Sequence, residues 1–264
     1  MYVIKVGGRD GNDFANVAEG LREVRPSVVV HGGSSAVDAL ATALGHPPRF
    51  LTSPSGYVSR YTDAAAIDIV SMAMAGRENV ALVAALQAND VPAVGLSGVD
   101  GRLVVGRRKT AIRSVEGDKV KVIHDDRSGT IESVNVGLLH GLLASGYIPV
   151  VSPPILDAQD HLPLNVDADR LAAHIASSLS AKALVLLTNV PGVCLDASDP
   201  STVVLSIPRA DLTAHLERVQ GGMRKKLLAA SEALAGGVPR VVIGDSRRPD
   251  PVRAALRGEG TVIA

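Results

Sequence analysis

The sequence has no tryptophan, two phenylalanines and four tyrosines, so large aromatic rings cannot build its core. Val, Ile, Leu and Ala must fill it, and 46% hydrophobic residues supply enough of them for a sizeable one. Such filling is expected where parallel strands are covered by helices on both faces. A single cysteine, Cys194, excludes an intramolecular disulfide and a cysteine zinc cluster, and fits a reducing compartment. Charge of one sign is also lacking. Lys plus Arg and Asp plus Glu number 27 each, so no net field draws the chain to nucleic acid or a membrane surface. No apolar run of about 18 residues suggests a membrane span, and Met1 leads straight into a strand without the regions of a signal peptide. The expectation is a cytoplasmic protein that binds neither nucleic acid nor membrane.

Several active-site signatures are missing as well. There is no GxxxxGK followed by Ser or Thr, and no GxGxxG after a first strand, which speaks against P-loop and dinucleotide sites. No HExxH or dense His/Cys cluster points to a protein-held catalytic metal, and no GxSxG elbow presents a serine.

What is present begins at the first residues. Tyr2-Val-Ile-Lys5-Val-Gly7-Gly8 is a β-branched strand running into two glycines, and Val28-Val-Val30-His31-Gly32-Gly33 repeats the pattern before a helix from Ser35 to Leu44. Either glycine pair alone is equally well explained as a tight βα turn. Two side by side, with Lys5 as a mobile cation, point to a phosphate site, because glycine lets backbone N–H groups approach an anion and a helix start adds its dipole.

Further along, Asn16 to Val24 reads as a crossover helix, and Arg49 to Asp63 as an extended, turn-rich wall with Thr62 and Asp63 able to cap the helix after it. Helices are expected at Ala64 to Ala75, Asn79 to Gln87 and Asn135 to Ser145, with strands at Val91 to Leu96, Ile148 to Ser152 and Ala183 to Thr188. Leu103 to Ile131 alternates in short charged runs, as projecting antiparallel hairpins do. Its charge is lopsided: Arg102, Arg107, Arg108, Lys109, Arg113, Lys119 and Lys121 against Glu116 and Asp118. Such a run is either a solvated face or a docking patch.

Asn165, Asp167 and Asp169 stand at alternate positions before an Ala-rich helix, more amide and carboxylate groups than capping needs. Gln220-Gly-Gly222 opens a helix with Lys225 and Lys226 in its first turns, where cations oppose the helix dipole. Lysines placed there are expected to act on an anion. Roughly eight strands alternating with helices, and no Pro/Gly/Ser linker, give an α/β fold: a three-layer αβα sandwich with a mostly parallel sheet. Two lysines far apart in sequence, glycine turns and an aspartate at a helix start suit phosphoryl transfer without a covalent intermediate.

Lys5-Val-Gly-Gly8, His31-Gly-Gly33, Ser59-Arg60-Tyr-Thr-Asp63, Asn165-Val-Asp-Ala-Asp169, Leu187-Thr188-Asn189-Val-Pro-Gly192 and Gly221-Gly222-Met-Arg-Lys-Lys226 resemble, in order and over nearly the whole chain, the motifs of the amino acid kinase family, acetylglutamate kinase branch. The resemblance implies the amino acid kinase or carbamate kinase-like fold, one domain over 1–264, with an acyl-substrate lobe and dimer face in 1–173 and an ATP lobe in 174–264. It implies that Lys5 and Lys226 stabilise the transferring phosphoryl group with Asp169 holding them. Gly32, Gly33, Arg60 and Asn165 would bind the acyl substrate. Gly7, Gly8, Thr188, Asn189, Gly192 and Gly222 would serve ATP, which brings Mg2+ on its phosphates.

Three positions depart from the branch: Asn189 where Asp is usual, Ser34 where a third glycine is usual, and Asp167 where Asn is usual. With Arg107-Arg108-Lys109 they are similar to a subfamily acting on 2-aminoadipate, or glutamate, attached through its amino group to a small acidic carrier protein in lysine or arginine biosynthesis. Arg107, Arg108, Lys109 and Lys121 would then dock the carrier. The alternative is phosphorylation of free N-acetyl-L-glutamate in arginine biosynthesis. Either way the resemblance implies a homodimer.

Overall fold

Valine-rich runs form the middle of the molecule, as the absence of aromatic filling requires. A computed structural model of the chain describes residues 1–7, 14–117 and 119–264. Its main sheet has eight strands: β1 (Tyr2–Val6), β2 (Ser27–His31), β3 (Ala93–Ser97), β4 (Ile148–Ser152), β5 (Ala183–Thr188), β6 (Ser206–Ile207), β7 (Val241–Asp245) and β8 (Thr261–Ile263). They lie in the order β6-β8-β7-β5-β1-β2-β4-β3. Every neighbouring pair from β7 to β3 is parallel. β8 is antiparallel to β7 and parallel to β6, so these two edge strands run against the other six.

The helices, in chain order, are α1 (Phe14–Leu21), α2 (Ser34–Ala43), α3 (Ala64–Gln87), α4 (Val136–Ala144), α5 (Ala168–Ser178), α6 (Leu212–Arg218), α7 (Gly221–Ala235) and α8 (Pro251–Arg257). Strand alternation sends Val3, Val30, Leu184, Leu186 and Ile243 to one face, where they pack on Leu171 and Ile175 of α5 and Leu227 and Ala230 of α7. Ile4, Val6, Val29, Val150 and Leu187 face the other way, onto α1, α8 and the second half of α3. The result is a three-layer αβα sandwich with a mostly parallel sheet.

Two expectations need correcting at α3. The sequence divides it into helices at Ala64–Ala75 and Asn79–Gln87, yet it is one helix of 24 residues. Its first part is α-helical, Ser71–Glu78 is π-helical, and Asn79–Gln87 is α-helical again. The π segment explains the misreading, because i to i+5 bonding breaks the 3.6-residue period that marks a helix in sequence. By length and composition α3 also passes as a membrane span, contrary to the sequence reading. Here Ile67 and Val70 pack on α2, and Leu82 and Leu86 lie under the sheet. Smaller shifts put α1 two residues earlier than expected and β3 at Ala93–Ser97.

Outside the main sheet, Val104–Arg108 and Gly129–Val134 pair antiparallel in a four-stranded sheet completed by Ile155–Asp157 and Pro163–Leu164. Two hairpins project: Ile112–Glu116 with Lys119–Ile123, as expected of the charged region, and Phe50–Thr52 with Val58–Arg60, so the expected extended wall is itself a hairpin. From β1 the chain moves to β2, β3 and β4 on one side, then returns to β5 on the other. That reversal beside β1 opens a crevice past the carboxyl ends of the strands, where parallel sheets bind ligands.

Candidate active site

Lys5 lies on β1 between Val30 of β2 and Leu186 of β5, at the point where the strand order reverses. It faces the α5 and α7 layer. Asp167 caps α5, its side chain accepting from the backbone N–H of Asp169 at 2.9 Å and of Arg170 at 3.2 Å, which aims Asp169 from the first turn toward β1. Lys226 approaches from α7. Lys5 Nζ sits 2.7 Å from Asp169 Oδ1, and Lys226 Nζ donates to Asp169 Oδ2 at 3.0 Å.

All three side chains are buried. Burial pushes the Asp169 carboxyl up, but Lys5 and Lys226 push it down harder, and it titrates below the ordinary carboxylate range. Lys5 is held below the ordinary lysine value by desolvation and by Lys226, with Asp169 opposing. One carboxylate therefore fixes two ammonium groups, leaving a net positive charge in a place shielded from water. Preorganised charge of this kind acts strongly on charge that develops during a reaction, as on a phosphoryl group in transit. Lys225, the neighbouring lysine, turns elsewhere: its Nζ lies 5.2 Å from the centre of the Tyr57 ring. The Tyr57 hydroxyl is pushed up to about 12, by burial and then by Asp167.

On the β2 side are Gly32 and Gly33, both buried, followed by α2. Arg60 reaches the same region from the hairpin, and its guanidinium meets Asp38 Oδ1 of α2 at 2.5 Å and stacks 5.3 Å from the Phe50 ring centre. Asp63, a conceivable partner for Arg60, instead caps α3 by accepting from Ala66 N and pairs with His46. Asn165 donates from Nδ2 to Thr62 Oγ1 at 3.0 Å, and Thr62 is pinned by Asp126, which accepts from Thr62 N at 2.9 Å and Ser128 N at 2.7 Å. Arg127 beside it forks onto Asp160. Sequence reasoning missed Asp38, Asp126, Arg127 and Tyr57. The visible signal for two of them was Asp125-Asp126-Arg127, an acidic and basic cluster just past the basic run.

On the β5 side, Thr188 ends its strand with its carbonyl accepting from Ser246 N and Oγ. Asn189 follows, half-buried, and Gly222 lies in the first turn of α7. Gly7 stands just past β1, while Gly8 lies outside the described residues. Gly192 has a packing reason for lacking a side chain, since a Cβ there would lie 2.5 Å from Thr261 Oγ1. Among the described residues no group of three or more His, Cys, Asp or Glu side chains could hold a metal ion.

The basic run is less free than its sequence suggests. Arg107 pairs with Glu132 at 2.6 Å and Lys121 with Glu116 at 2.5 Å. Arg108 donates to the carbonyls of Asp126 and His124. Lys109 and Arg113 instead line a groove of about 240 Å³ with Tyr57 and Ser59, so one wall of the groove is the tyrosine that meets Lys225.

If Arg60 holds the acyl substrate, as the family resemblance implies, Arg60→Ala should raise KM for that substrate roughly 10- to 100-fold with little change in KM for ATP, the size of a lost charge-assisted hydrogen bond. Arg60→Lys should recover little, because a compact ammonium cannot copy the planar, multi-donor guanidinium. Steady-state kinetics of both variants check this. Equal weakening of both substrates would make the Arg60–Asp38 pair purely structural.

The sequence model of the amino acid kinase family matches residues 1–245, and the chain belongs to that family. It is 49% identical over 268 residues to a LysW-aminoadipate kinase of Deinococcus radiodurans, covering 100% of this chain and 91% of that protein. A LysW-aminoadipate kinase of Thermus thermophilus is 46% identical over 269 residues, covering 100% of both. A LysW-aminoadipate/LysW-glutamate kinase of Metallosphaera sedula is 38% identical over 267 residues, again covering 100% of both. Among solved structures, N-acetylglutamate synthase from Neisseria gonorrhoeae superposes with a TM-score of 0.80 at 25% identity, and this chain spans 59% of its length. Carbamate kinase from Giardia lamblia bound to AMP-PNP shares the fold with a TM-score of 0.65 at 16% identity, covering 99% of this chain and 97% of that one.

Proposed function

We propose that this chain transfers the γ-phosphoryl group of ATP to the side-chain carboxylate of L-2-aminoadipate carried, through its amino group, on a small acidic protein of the LysW kind. Carrier-linked glutamate would be a second substrate. The product is an acyl phosphate in lysine biosynthesis, and the setting is cytoplasmic. The observation that carries the chemistry is the buried Lys5–Asp169–Lys226 cluster at the reversal point of the sheet. The substrate assignment is supported by the shared name of relatives 46% and 49% identical over the full chain.

In this reading a carboxylate oxygen of the substrate attacks the γ-phosphorus, and the bond to the β,γ-bridging oxygen breaks, leaving ADP. No proton need move. Lys5 and Lys226 balance the charge on the phosphoryl oxygens, and Asp169 keeps both ammonium groups in place. Residues 1–173 form the acyl lobe, with Gly32, Gly33, Arg60 and Asn165 around the acid. Residues 174–264 form the ATP lobe, with Thr188, Asn189, Gly192 and Gly222, and with Gly7 from the end of β1, toward the nucleotide. Mg2+ would be held by the nucleotide phosphates, consistent with a site whose aspartates are engaged by lysines and helix N–H groups. A homodimer through the 1–173 lobe is part of the reading, supported by Met72 and Val80, which leave 51% and 65% of their surface exposed on α3.

The carrier's approach is supported by the groove that Lys109 and Arg113 share with Tyr57. Reversing Lys109 and Arg113 to Glu should lower kcat/KM for carrier-linked substrate about tenfold or more at low salt and flatten its salt dependence, because exposed charges steer encounter and are screened over about 8 Å. Activity on a free acid should not change. Unaltered carrier turnover in the double variant would leave the basic run as a solvated face.

A further inference from the structure

Two buried polar side chains, His31 and Asn79, have no part in the chemistry above, and both lie at the Gly32–Gly33 turn. His31 is fully buried at the end of β2. Its Nδ1 lies 2.8 Å from the Gly32 carbonyl oxygen and its Nε2 3.0 Å from Asn79 Nδ2. Asn79 Nδ2 also donates to the Val150 carbonyl at 3.0 Å, so this atom is a donor and the amide orientation is fixed. Nε2 must then accept, and Nδ1 must carry the proton that reaches Gly32. Burial, with Lys5 adding, pushes the ring down to about 4 against the pull of the Gly32 carbonyl, which keeps it neutral in this role.

Two further features accommodate this arrangement. A Cβ on Gly95 would run into Asn79 Oδ1, so β3 leaves room for the amide. Asn79 directly follows the π-helical segment Ser71–Glu78. One residue more or less in that stretch would swing everything after it by about 100° around the helix, away from His31. The same segment closes on the turn itself: a Cβ on Gly33 would meet Met74 Cγ at 3.1 Å and Glu78 Cγ at 3.2 Å.

The geometry points to His31 and Asn79 as positioning residues that set the direction of the Gly32–Gly33 peptide for the acyl substrate, with the π segment of α3 setting their register. A trans peptide is planar, with C=O and N–H on opposite sides. Drawing the Gly32 carbonyl onto the buried imidazole therefore turns the Gly33 N–H away from the ring, and Val37 N, donating to the Gly33 carbonyl at 2.9 Å, fixes the next peptide. A donor aimed before the substrate arrives needs no reordering when it binds.

The inference rests on the reading that this turn holds the acyl substrate, and its test separates the two. On whichever acid the wild-type enzyme phosphorylates, His31→Gln, which loses the donor to Gly32, should raise KM for that acid about tenfold or more and leave KM for ATP within about twofold. His31→Asn keeps a donor at the Nδ1 position and should recover most of that loss. Nitrogen-15 NMR of labelled histidine in the wild-type protein, with His31→Asn used to assign the signal, should show a neutral, Nδ1-protonated ring at pH 7. A ring protonated at Nε2, equal KM values in the two variants, or a matching rise in KM for ATP would overturn the positioning role. Failure of the carrier reading alone changes only the acid used in the assay.

Discussion

Lys226→Ala should lower kcat at least about a hundredfold and leave KM for ATP within a few fold, the effect seen when one preorganised donor to a developing charge is removed. Lys5→Ala should behave alike. The two ammonium groups share one carboxylate, at 2.7 and 3.0 Å, so they form a unit with one excess positive charge. In the proposed reaction that charge matters most when negative charge spreads over the phosphoryl oxygens in transit, so the loss is expected in kcat. Lys225→Ala is the internal control. Its Nζ is over the Tyr57 ring and not on Asp169, so its removal should cost far less. A larger effect at Lys225 than at Lys226 would mean that Lys226 is not the lysine aimed at the phosphoryl group.

Asp169→Asn should be the most destabilising conservative change in the site, by about 3–5 kcal/mol, since it removes the carboxylate that directly bridges two buried ammonium groups. In thermal unfolding that corresponds to a fall on the order of 10 °C for a chain of this size. The pH dependence carries a sign. The folded Asp169 carboxyl titrates below its ordinary value of 3.8, so its stabilisation is complete above that value and is lost as pH falls through the folded one. The stability gap between wild type and Asp169→Asn should therefore hold steady at neutral pH and close in acid. Denaturant unfolding at several pH values measures it, and a variant as stable as wild type at pH 7 would show that the lysines do not depend on Asp169.

Much of this was legible in the sequence, for local reasons. Valine runs ending in Gly-Gly mark β1 and β2 because buried parallel strands are apolar throughout, and Asp169 stands out because the carboxylates there exceed capping needs and Lys226 because a cation opposes its helix's dipole. What escaped depends on partners distant in the chain or on a broken period. Asp38 gains meaning only when the hairpin carries Arg60 to it, and Asn79 only when α3 passes beneath β2. The π segment erased the helical period over Ser71–Glu78, and β6, two residues long, carries too little pattern to be seen. Arg107 looked unpaired because Glu132 lies 25 residues further on, across a strand pair.

The central claim is tested most directly by ATP consumption of the purified wild-type chain offered LysW loaded with 2-aminoadipate, in parallel with free N-acetyl-L-glutamate. ADP release that depends on the loaded carrier, with the acyl phosphate trapped by hydroxylamine as a hydroxamate on the carrier, is the predicted result. Turnover of free N-acetyl-L-glutamate while the loaded carrier stays unmodified would contradict it.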